Sequence, residues 1–272
     1  LSEERNREKI TKLKAEYREI INTYNEDQEG FIKIKVPIEL QFENVDKLFA
    51  SFETAMDKNA YTEVGKIVKA IDDIVSNLKE IIKETRTICL YGENLIPKKI
   101  EDICQIYKKM IQNGYNLDYL NIEYNIDEAN KKIVDIFQRL NVLDIEDSIF
   151  ELKTMHDYFD SLYLDFDKEK MSKRVFDDYT RSIALKLSKL EKIVNELYKK
   201  IGEFKYSYDL SDEEVAVITE IKDEIIDIHN SYDHIMELFR NKSLAYSKLA
   251  GEMEILNGKL LKDEEKLNHT LQ

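Results

Sequence analysis

The chain has 272 residues, which is enough for more than one domain, and it contains only 7 glycines and 2 prolines. So few turn-forming residues disfavour a β-sheet protein, whereas 35% charged and 43% hydrophobic residues suit long amphipathic helices. The net charge of -14, with no strongly basic segment, disfavours nucleic-acid binding, because neutralising phosphates requires a basic surface. The sequence also shows no apolar stretch long enough to cross a bilayer.

Apolar residues at alternating spacings of three and four predict helices along nearly the whole first half of the chain. The first helix is expected to end at Gly30, and Pro37 is expected to open the second, which runs to a turn near 57–60. The third helix is then interrupted within 92–97, and the helix that resumes there is expected to end at Gly114.

The middle of the chain predicts a helix over 122–140 and a short connector at 141–144. No glycine or proline follows until Gly202, and the apolar periodicity continues throughout this stretch. We therefore predict one continuous helix over 144–205 that two neighbouring helical bundles share.

A return loop at 205–210 is expected to make the next helix antiparallel to this one. That helix begins at Ser211, which forms an S-x-x-E capping box with Glu214, and it is expected to continue as one long helix with a single break at Lys242. The apolar stripes are wider than a two-stranded coiled coil needs, which favours bundles of three helices.

The sequence indicates no catalytic, cofactor-binding or metal-binding residue, so we predict a protein that is not an enzyme. His229 and His234 fall on different helix faces, and His156 and His269 stand alone, which makes all four poor metal ligands. Carboxylate clusters lie where helices start, and the helix dipole explains them there. Residues that bind a partner stay unassigned.

The two cysteines, Cys89 and Cys104, lie on apolar helix faces and are expected to be buried free thiols of a reducing cytoplasm. Short lysine pairs are either ordinary solvated helix surface or local docking points for an acidic partner. They are Lys98–Lys99, Lys108–Lys109, Lys131–Lys132 and Lys199–Lys200.

An internal repeat is suggested by Tyr115-Asn116-Leu117, which matches Tyr208-Asp209-Leu210, each just before a helix. The alternative is the general likeness of any two amphipathic helices. The resulting division places the end of a preceding repeat and a linker at 1–36, helical repeats at 37–117 and 118–210, and a long helix of the next repeat at 211–272. Because the chain begins at Leu1 with a charged helix already under way, we also expect it to be an internal piece of a longer protein.

Four segments resemble the septation ring formation regulator EzrA family of Gram-positive bacteria. The clearest is NGYNLDYLNIE at Asn113–Glu123, which is similar to a helix-breaking loop of that family. The others are YSYDLSDEE at 206–214, SLAYSKLAGEM at 243–253 and the run into the first loop at 84–110. Their order and spacing carry the resemblance, which covers about five-sixths of the chain.

The resemblance implies an all-α, elongated rod of spectrin-like triple-helical bundles linked by long shared helices. It also implies a regulator of cell division that binds FtsZ and other division proteins and restrains Z-ring assembly, without a cofactor. Such proteins lie on the cytoplasmic face of the cell membrane at the septum, anchored by an N-terminal helix that this chain lacks. The family's C-terminal Gln-Asn-Arg patch is also missing, so no FtsZ-binding residue is carried over.

Two alternatives remain open at this point. A generic coiled-coil scaffold or filament-forming protein would need no breaks at 57–60, 114–118 and 205–210, whereas helices that fold back on themselves need all three. A helical-bundle enzyme would need polar clusters on inward faces that are apolar here. Because each apolar stripe finds a partner within its own chain, we expect a monomer.

Overall fold

The computed structural model describes residues 2–203 and 211–271, and these residues form α-helices joined by short turns, without a β-strand among them. The predicted all-α class is therefore confirmed. The helices are α1 Ser2–Glu26, α2 Lys35–Asp57, α3 Tyr61–Leu90, α4 Ile96–Gln112, α5 Ile122–Leu140, α6 Ser148–Glu203, α7 Asp212–Arg240 and α8 Tyr246–Leu271. Short 3-10 helices at Glu29–Ile34 and Asp118–Leu120 and a π-helical segment at Tyr91–Leu95 connect some of them.

Packing divides the chain into two compact units that alternate along the sequence. The first unit contains 1–103 and 123–160, and the second contains 104–122 and 161–272. Helices α4 and α6 each contribute residues to both units. The four-part division into repeats that the sequence suggests stays a prediction.

In the first unit, α1 and α2 both pack on α3. Two tyrosines of α1 bring hydroxyl groups into this core and give each one a partner. The Tyr17 hydroxyl donates to the backbone oxygen of Phe42 at 2.9 Å, and the Tyr24 hydroxyl donates to Glu39 Oε1 at 2.8 Å. Burial, followed by the hydrogen bond to Glu39, raises the pKa of Tyr24 to about 12, so this hydroxyl stays protonated.

Two glycines of the first unit act differently from the sequence expectation. Helix α1 ends at Glu26, before Gly30, and Gly30 lies inside a 3-10 helix where a β-carbon would come within 2.3 Å of Asp27 Oδ2. Gly92 does not interrupt the helix either. It lies in the π-helical segment, where the Ile96 amide donates to the Tyr91 oxygen, and the helical path continues into α4. Widening one turn in this way accommodates Pro97, which has no amide hydrogen to donate.

The second unit contains a three-helix bundle, as the wide apolar stripes predict. Side chains of α6, α7 and α8 share one buried core that includes Ile183, Ile225 and Met253. Helices α6 and α7 run antiparallel, because Glu191 pairs with His229 while Thr180 accepts a hydrogen bond from Tyr232. The uninterrupted α6 confirms the continuous helix over the part that the structure describes, although it starts at Ser148 rather than at 144.

The segment 211–272 was expected to be one long helix, and this is wrong, because it forms the α7–α8 hairpin. Lys242 adopts the left-handed conformation with φ of 54°, and its amide donates to the Phe239 oxygen. The Ser243 amide donates to the Leu238 oxygen, which completes a Schellman motif. Lys242 ends the helix, although the sequence predicted only a local break there. Glycine is the usual residue in the left-handed position at a helix end, so a lysine gives no sign of it.

Three further helices end in the same motif, and only one of them uses glycine. Asn59, Leu143 and Gly114 have φ of 57°, 61° and 90° and occupy the left-handed position after α2, α5 and α4.

The thiols of Cys89 and Cys104 are free, but both residues are half-buried rather than buried. Within the described helices, none combines the length and the apolar character that a bilayer crossing requires.

Candidate interaction site at the motif loops

The loop at 113–122 between α4 and α5 contains the clearest sequence motif, and it packs entirely within the second unit. Gly114 supplies the left-handed turn that ends α4. Asn116 Oδ1 then accepts a hydrogen bond from the Asp118 amide, and its Nδ2 donates to the backbone oxygen of Lys242 at 2.8 Å. Asn116 therefore joins this loop to the α7–α8 turn, where the motif at 243–253 begins.

An aromatic cluster forms the second contact between the two motifs. The rings of Tyr115 and Tyr246 meet edge to face, with centroids 5.1 Å apart, and Phe176 of α6 lies 5.9 Å from Tyr246. The ammonium group of Lys173 lies 5.5 Å from the Tyr115 centroid and 6.0 Å from that of Tyr246. This cation–π arrangement holds one cation against both motif tyrosines.

A buried carboxylate of α6, that of Glu169, forms a hydrogen bond with the same loop. Glu169 is 0% exposed, and the hydroxyl of Tyr119 donates to its Oε1 at 2.9 Å. The other oxygen, Oε2, has no hydrogen-bond partner among the described atoms. Burial, followed by the hydrogen bond to Glu169, raises the pKa of Tyr119, so the hydroxyl remains a donor at physiological pH.

These contacts hold helices together and do not assemble a reactive group. The pKa values of Tyr115 and Tyr246 are both raised, first by burial and then by nearby carboxylates, which keeps the hydroxyls neutral. The motif therefore marks a junction where the α4–α5 loop, α6 and the α7–α8 turn meet. Both motifs were identified from the sequence, but the sequence does not show that they contact each other.

The motif at 206–214 lies mostly outside the described residues, and so does the return loop predicted at 205–210. Its last part is described, and there Ser211 caps α7 as predicted, since its Oγ accepts a hydrogen bond from the Glu214 amide at 3.2 Å. The suggested repeat of Tyr115–Leu117 at 208–210 also falls on residues that are not described. The repeat stays a prediction.

The lysine pairs lie on helix surfaces, and two of them contain a lysine that forms an ion pair. Lys99 forms an ion pair with Asp160 inside the first unit, and Lys131 pairs with Asp127 and Glu128 of its own helix. Lys108 and Lys109, with Lys199 and Lys200, are exposed on α4 and α6. No pair converges with the motif junction.

The histidines do not meet one another, and one lies in a mixed group that the sequence reading missed. His156, Asp157 and Asp160 offer ligand atoms within 4.8 Å of one another, the only such group among the described residues. Their spacing on one helix was the available signal. Asp157 and Asp160 are exposed, and the hydrogen bond from Lys99 lowers the pKa of Asp160, so one carboxylate of this group already pairs with an ammonium. His229 instead contacts Glu191 and Asp233, at 2.7 and 3.2 Å.

Comparison with known proteins places these motifs in context. A profile of the family described as septation ring formation regulator, EzrA, matches residues 1–271. The chain is 25% identical over 262 residues to the septation ring formation regulator EzrA of Geobacillus sp. strain WCH70, covering 94% of this chain and 45% of that protein. No solved structure matches the chain significantly.

Two further relatives are also septation ring formation regulators EzrA. The protein of Staphylococcus epidermidis is 20% identical over 265 residues, covering 96% of this chain and 47% of its own length. That of Bacillus licheniformis is 22% identical over 253 residues, covering 93% and 45%. The chain thus spans about half the length of the curated relatives it matches. Because the profile covers nearly every residue, including both described motif loops, the chain belongs to the EzrA family of septation ring formation regulators.

Proposed function

We propose that this chain is a non-enzymatic part of a cell-division regulator that binds FtsZ and restrains assembly of the Z ring. The family match over residues 1–271 is the observation that carries the proposal. We place its action at the division septum, on the cytoplasmic face of the cell membrane, together with other division proteins. Family membership favours this role over a scaffold unrelated to division.

A contact role also fits the use that the chain makes of its polar groups. Asn116, Tyr119 and Glu169 are polar residues of the motif junction, and each is engaged in joining helices. None is paired as a nucleophile with a base, which an enzyme of the common hydrolytic classes would need. The proposal is therefore a scaffold that presents helix faces to a partner, without chemical conversion of that partner.

The expected mode of binding is weak at one site and strong on a polymer. A net charge of -14 gives no broad attraction to an acidic partner, so each contact has to be local. A filament presents many copies of the same surface, which raises the apparent affinity without any new contact. Regulation of assembly then follows from preferential binding to one state of the filament.

Co-sedimentation tests the proposal. FtsZ from the same organism is assembled with GTP and pelleted in the presence of this chain or of the longer cytoplasmic region that contains it. We expect the longer region to pellet with the polymer and to reduce the assembled fraction. If the longer region neither pellets nor changes assembly, the proposal is wrong. If only this chain stays in the supernatant, the contacts lie elsewhere in the protein.

A further inference from the structure

Helix α6 carries a second apolar surface on the side that faces away from its bundle. We call this surface the outer stripe, and its members all lie in the second unit and are exposed by 42% to 67%. They are Leu164, Met171, Val175, Leu185 and Ile193. The opposite side of the same helix contributes Ile183, Leu187 and Val194 to the shared core, and there the exposure is at most 4%.

The outer stripe is a straight feature rather than scattered exposure. At 3.6 residues per turn, its five members fall within an arc of about 80° around the helix. From Leu164 to Ile193 they extend over roughly 43 Å. The face is not purely apolar, because Asp178, Ser182 and Lys189 lie within the same arc, but its length is that of a surface which another helix covers.

Basic side chains outnumber acidic ones on the face of α6 that carries the outer stripe, although the chain as a whole is acidic. Within about 60° on either side of Lys189, the face carries five basic and three acidic side chains. The basic ones are Lys168, Arg174, Lys186, Lys189 and Lys192; the acidic ones are Asp167, Asp178 and Glu196.

Three lysines concentrate at the C-terminal half of the outer stripe, around Leu185 and Ile193. Lys186, Lys189 and Lys192 form no ion pair with another described residue, whereas Asp178 is held by Arg181 at 3.1 Å. Unpaired cations around exposed apolar side chains are a combination that an acidic amphipathic partner would satisfy.

We propose that the outer stripe docks an acidic, amphipathic helix of a partner protein. Its leucine-type side chains would cover Leu164, Met171 and Leu185, and its carboxylates would meet the lysines at 186–192. A second copy of the stripe fits less well, since basic borders would oppose each other. An anionic membrane surface is the other occupant that apolar and basic side chains together could suit, and the vesicle measurement below distinguishes it from a helix. The inference holds whether or not FtsZ is the partner.

The experiment uses two synthetic helix-forming peptides with leucines at alternating three- and four-residue spacings. One has glutamates beside the leucines, and the other has lysines. Fluorescence anisotropy of each labelled peptide is measured against the whole chain. We expect the acidic peptide to bind and the basic peptide to fail, with binding that weakens as salt increases.

Matched variants assign the binding to the stripe. Substituting Lys186, Lys189 and Lys192 with glutamate is expected to weaken the acidic peptide at least tenfold, on the order of what lost interfacial charge pairs cost. The control reverses three exposed lysines of α3, which form no ion pair with a described residue: Lys66, Lys69 and Lys79. The control carries the same total charge, so unchanged binding there separates the stripe from the net charge.

A second pair of variants tests the apolar part. Leu185→Ser is expected to weaken binding several-fold, whereas Ile255→Ser, an equally exposed change on α8, is not. Unchanged thermal melting of each variant excludes a folding defect. Three outcomes overturn the proposal: no binding of the acidic peptide, equal loss in both triple variants, or a chain dimer in sedimentation equilibrium that Leu185→Ser dissociates. Pelleting with anionic vesicles that the stripe variants abolish would also overturn it, in favour of a lipid surface.

Discussion

The phenyl ring of Phe137 fills the space beside Gly92 where any other residue would carry its β-carbon. A β-carbon built on Gly92 would lie 2.5 Å from Phe137 Cε2 and 2.7 Å from Cζ, far inside van der Waals contact. Gly92 is thus required for the close approach of α5 to the π-helical segment, rather than for a break in the helix.

Gly92→Ala is therefore expected to destabilise the first unit by about 1–3 kcal/mol, the usual effect of overpacking a core. Urea unfolding followed by circular dichroism measures the change. Gly65→Ala is the matched control, because no atom lies within 4 Å of its β-carbon position on α3. There we expect a gain of about 0.5–1 kcal/mol from helix propensity. Equal effects at both glycines would contradict the role of Phe137, and Phe137→Leu should partly restore the Gly92→Ala variant.

Tyr119→Phe removes the donor that binds the buried Glu169. The carboxylate would then lack this partner in a site without solvent, so we expect a loss of about 1–3 kcal/mol. Chemical denaturation of the chain measures it. Tyr124→Phe, on an exposed ring nearby in sequence, controls for loss of a hydroxyl and should change stability little. If Tyr119→Phe costs no more than this control, another group satisfies Glu169. Glu169→Gln combined with Tyr119→Phe should cost less than the two changes added together.

We expect the stability of the second unit to depend on pH through Asp263. Only 2% of Asp263 is exposed, and burial, followed by its hydrogen bond to Glu224, raises its pKa to about 7. A raised folded-state pKa means that the native state holds a proton that the unfolded state releases. Its stabilising contribution is complete below about pH 4 and is lost as the pH rises through about 7. Glu224 acts in the opposite direction, because its pKa is lowered, so its contribution is lost as the pH falls.

Asp263→Asn removes the first of these effects. The free energy of unfolding of the variant minus that of the parent chain should be larger at pH 8 than at pH 5, by on the order of 2 kcal/mol. Urea unfolding at both pH values provides the comparison. Glu265→Gln, an exposed carboxylate on the same helix, controls for the loss of one negative charge. A difference that is the same at both pH values would show that Asp263 does not titrate between them.

The continuity of α6 can be tested by proline substitution. Val194→Pro removes a backbone hydrogen bond inside the helix and clashes with the preceding turn, so we expect a loss of about 3 kcal/mol or more. Because Val194 is also 1% exposed, Val194→Ala measures the packing part separately. Asp212→Pro, at the first position of α7, should be tolerated, since that position needs no amide donor. Unchanged melting of Val194→Pro would contradict a helix through this point.

The sequence predicted the helices and their buried faces because burial itself imposes the period. Ile183, Val194 and Ile221 lie on helices that the apolar periodicity predicts, and each is fully buried. The turns were harder where a left-handed residue is not glycine. Lys242 and Leu143 adopt this conformation at a local cost that tertiary contacts offset, so composition gives no sign of it.

The candidate site shows the same limit. The amino-acid sequence alone identified both the motif loop around Tyr115 and the start of the motif that contains Tyr246. That their rings touch depends on how two helical hairpins fold back, which local spacing does not determine. Glu169 was missed because one acidic residue on a charged helix resembles every other, and only its burial distinguishes it. The metal, cofactor and catalytic assignments stay predictions.

The hydrogen bond from Asn116 to the backbone of Lys242 joins residues 126 positions apart. A ribosome releases the chain from its N-terminus, so the loop at 113–122 leaves the exit tunnel long before the α7–α8 turn exists. Residues 1–103 and 123–160 can assemble in the meantime, whereas 104–122 can pack on α6 but gain their contacts with Lys242 and Tyr246 only when the last helices have been synthesised. Premature termination before Lys242 would therefore strand a loop near the middle of the chain and expose Tyr115 and Phe176 to chaperones and proteases, although neither residue is deleted.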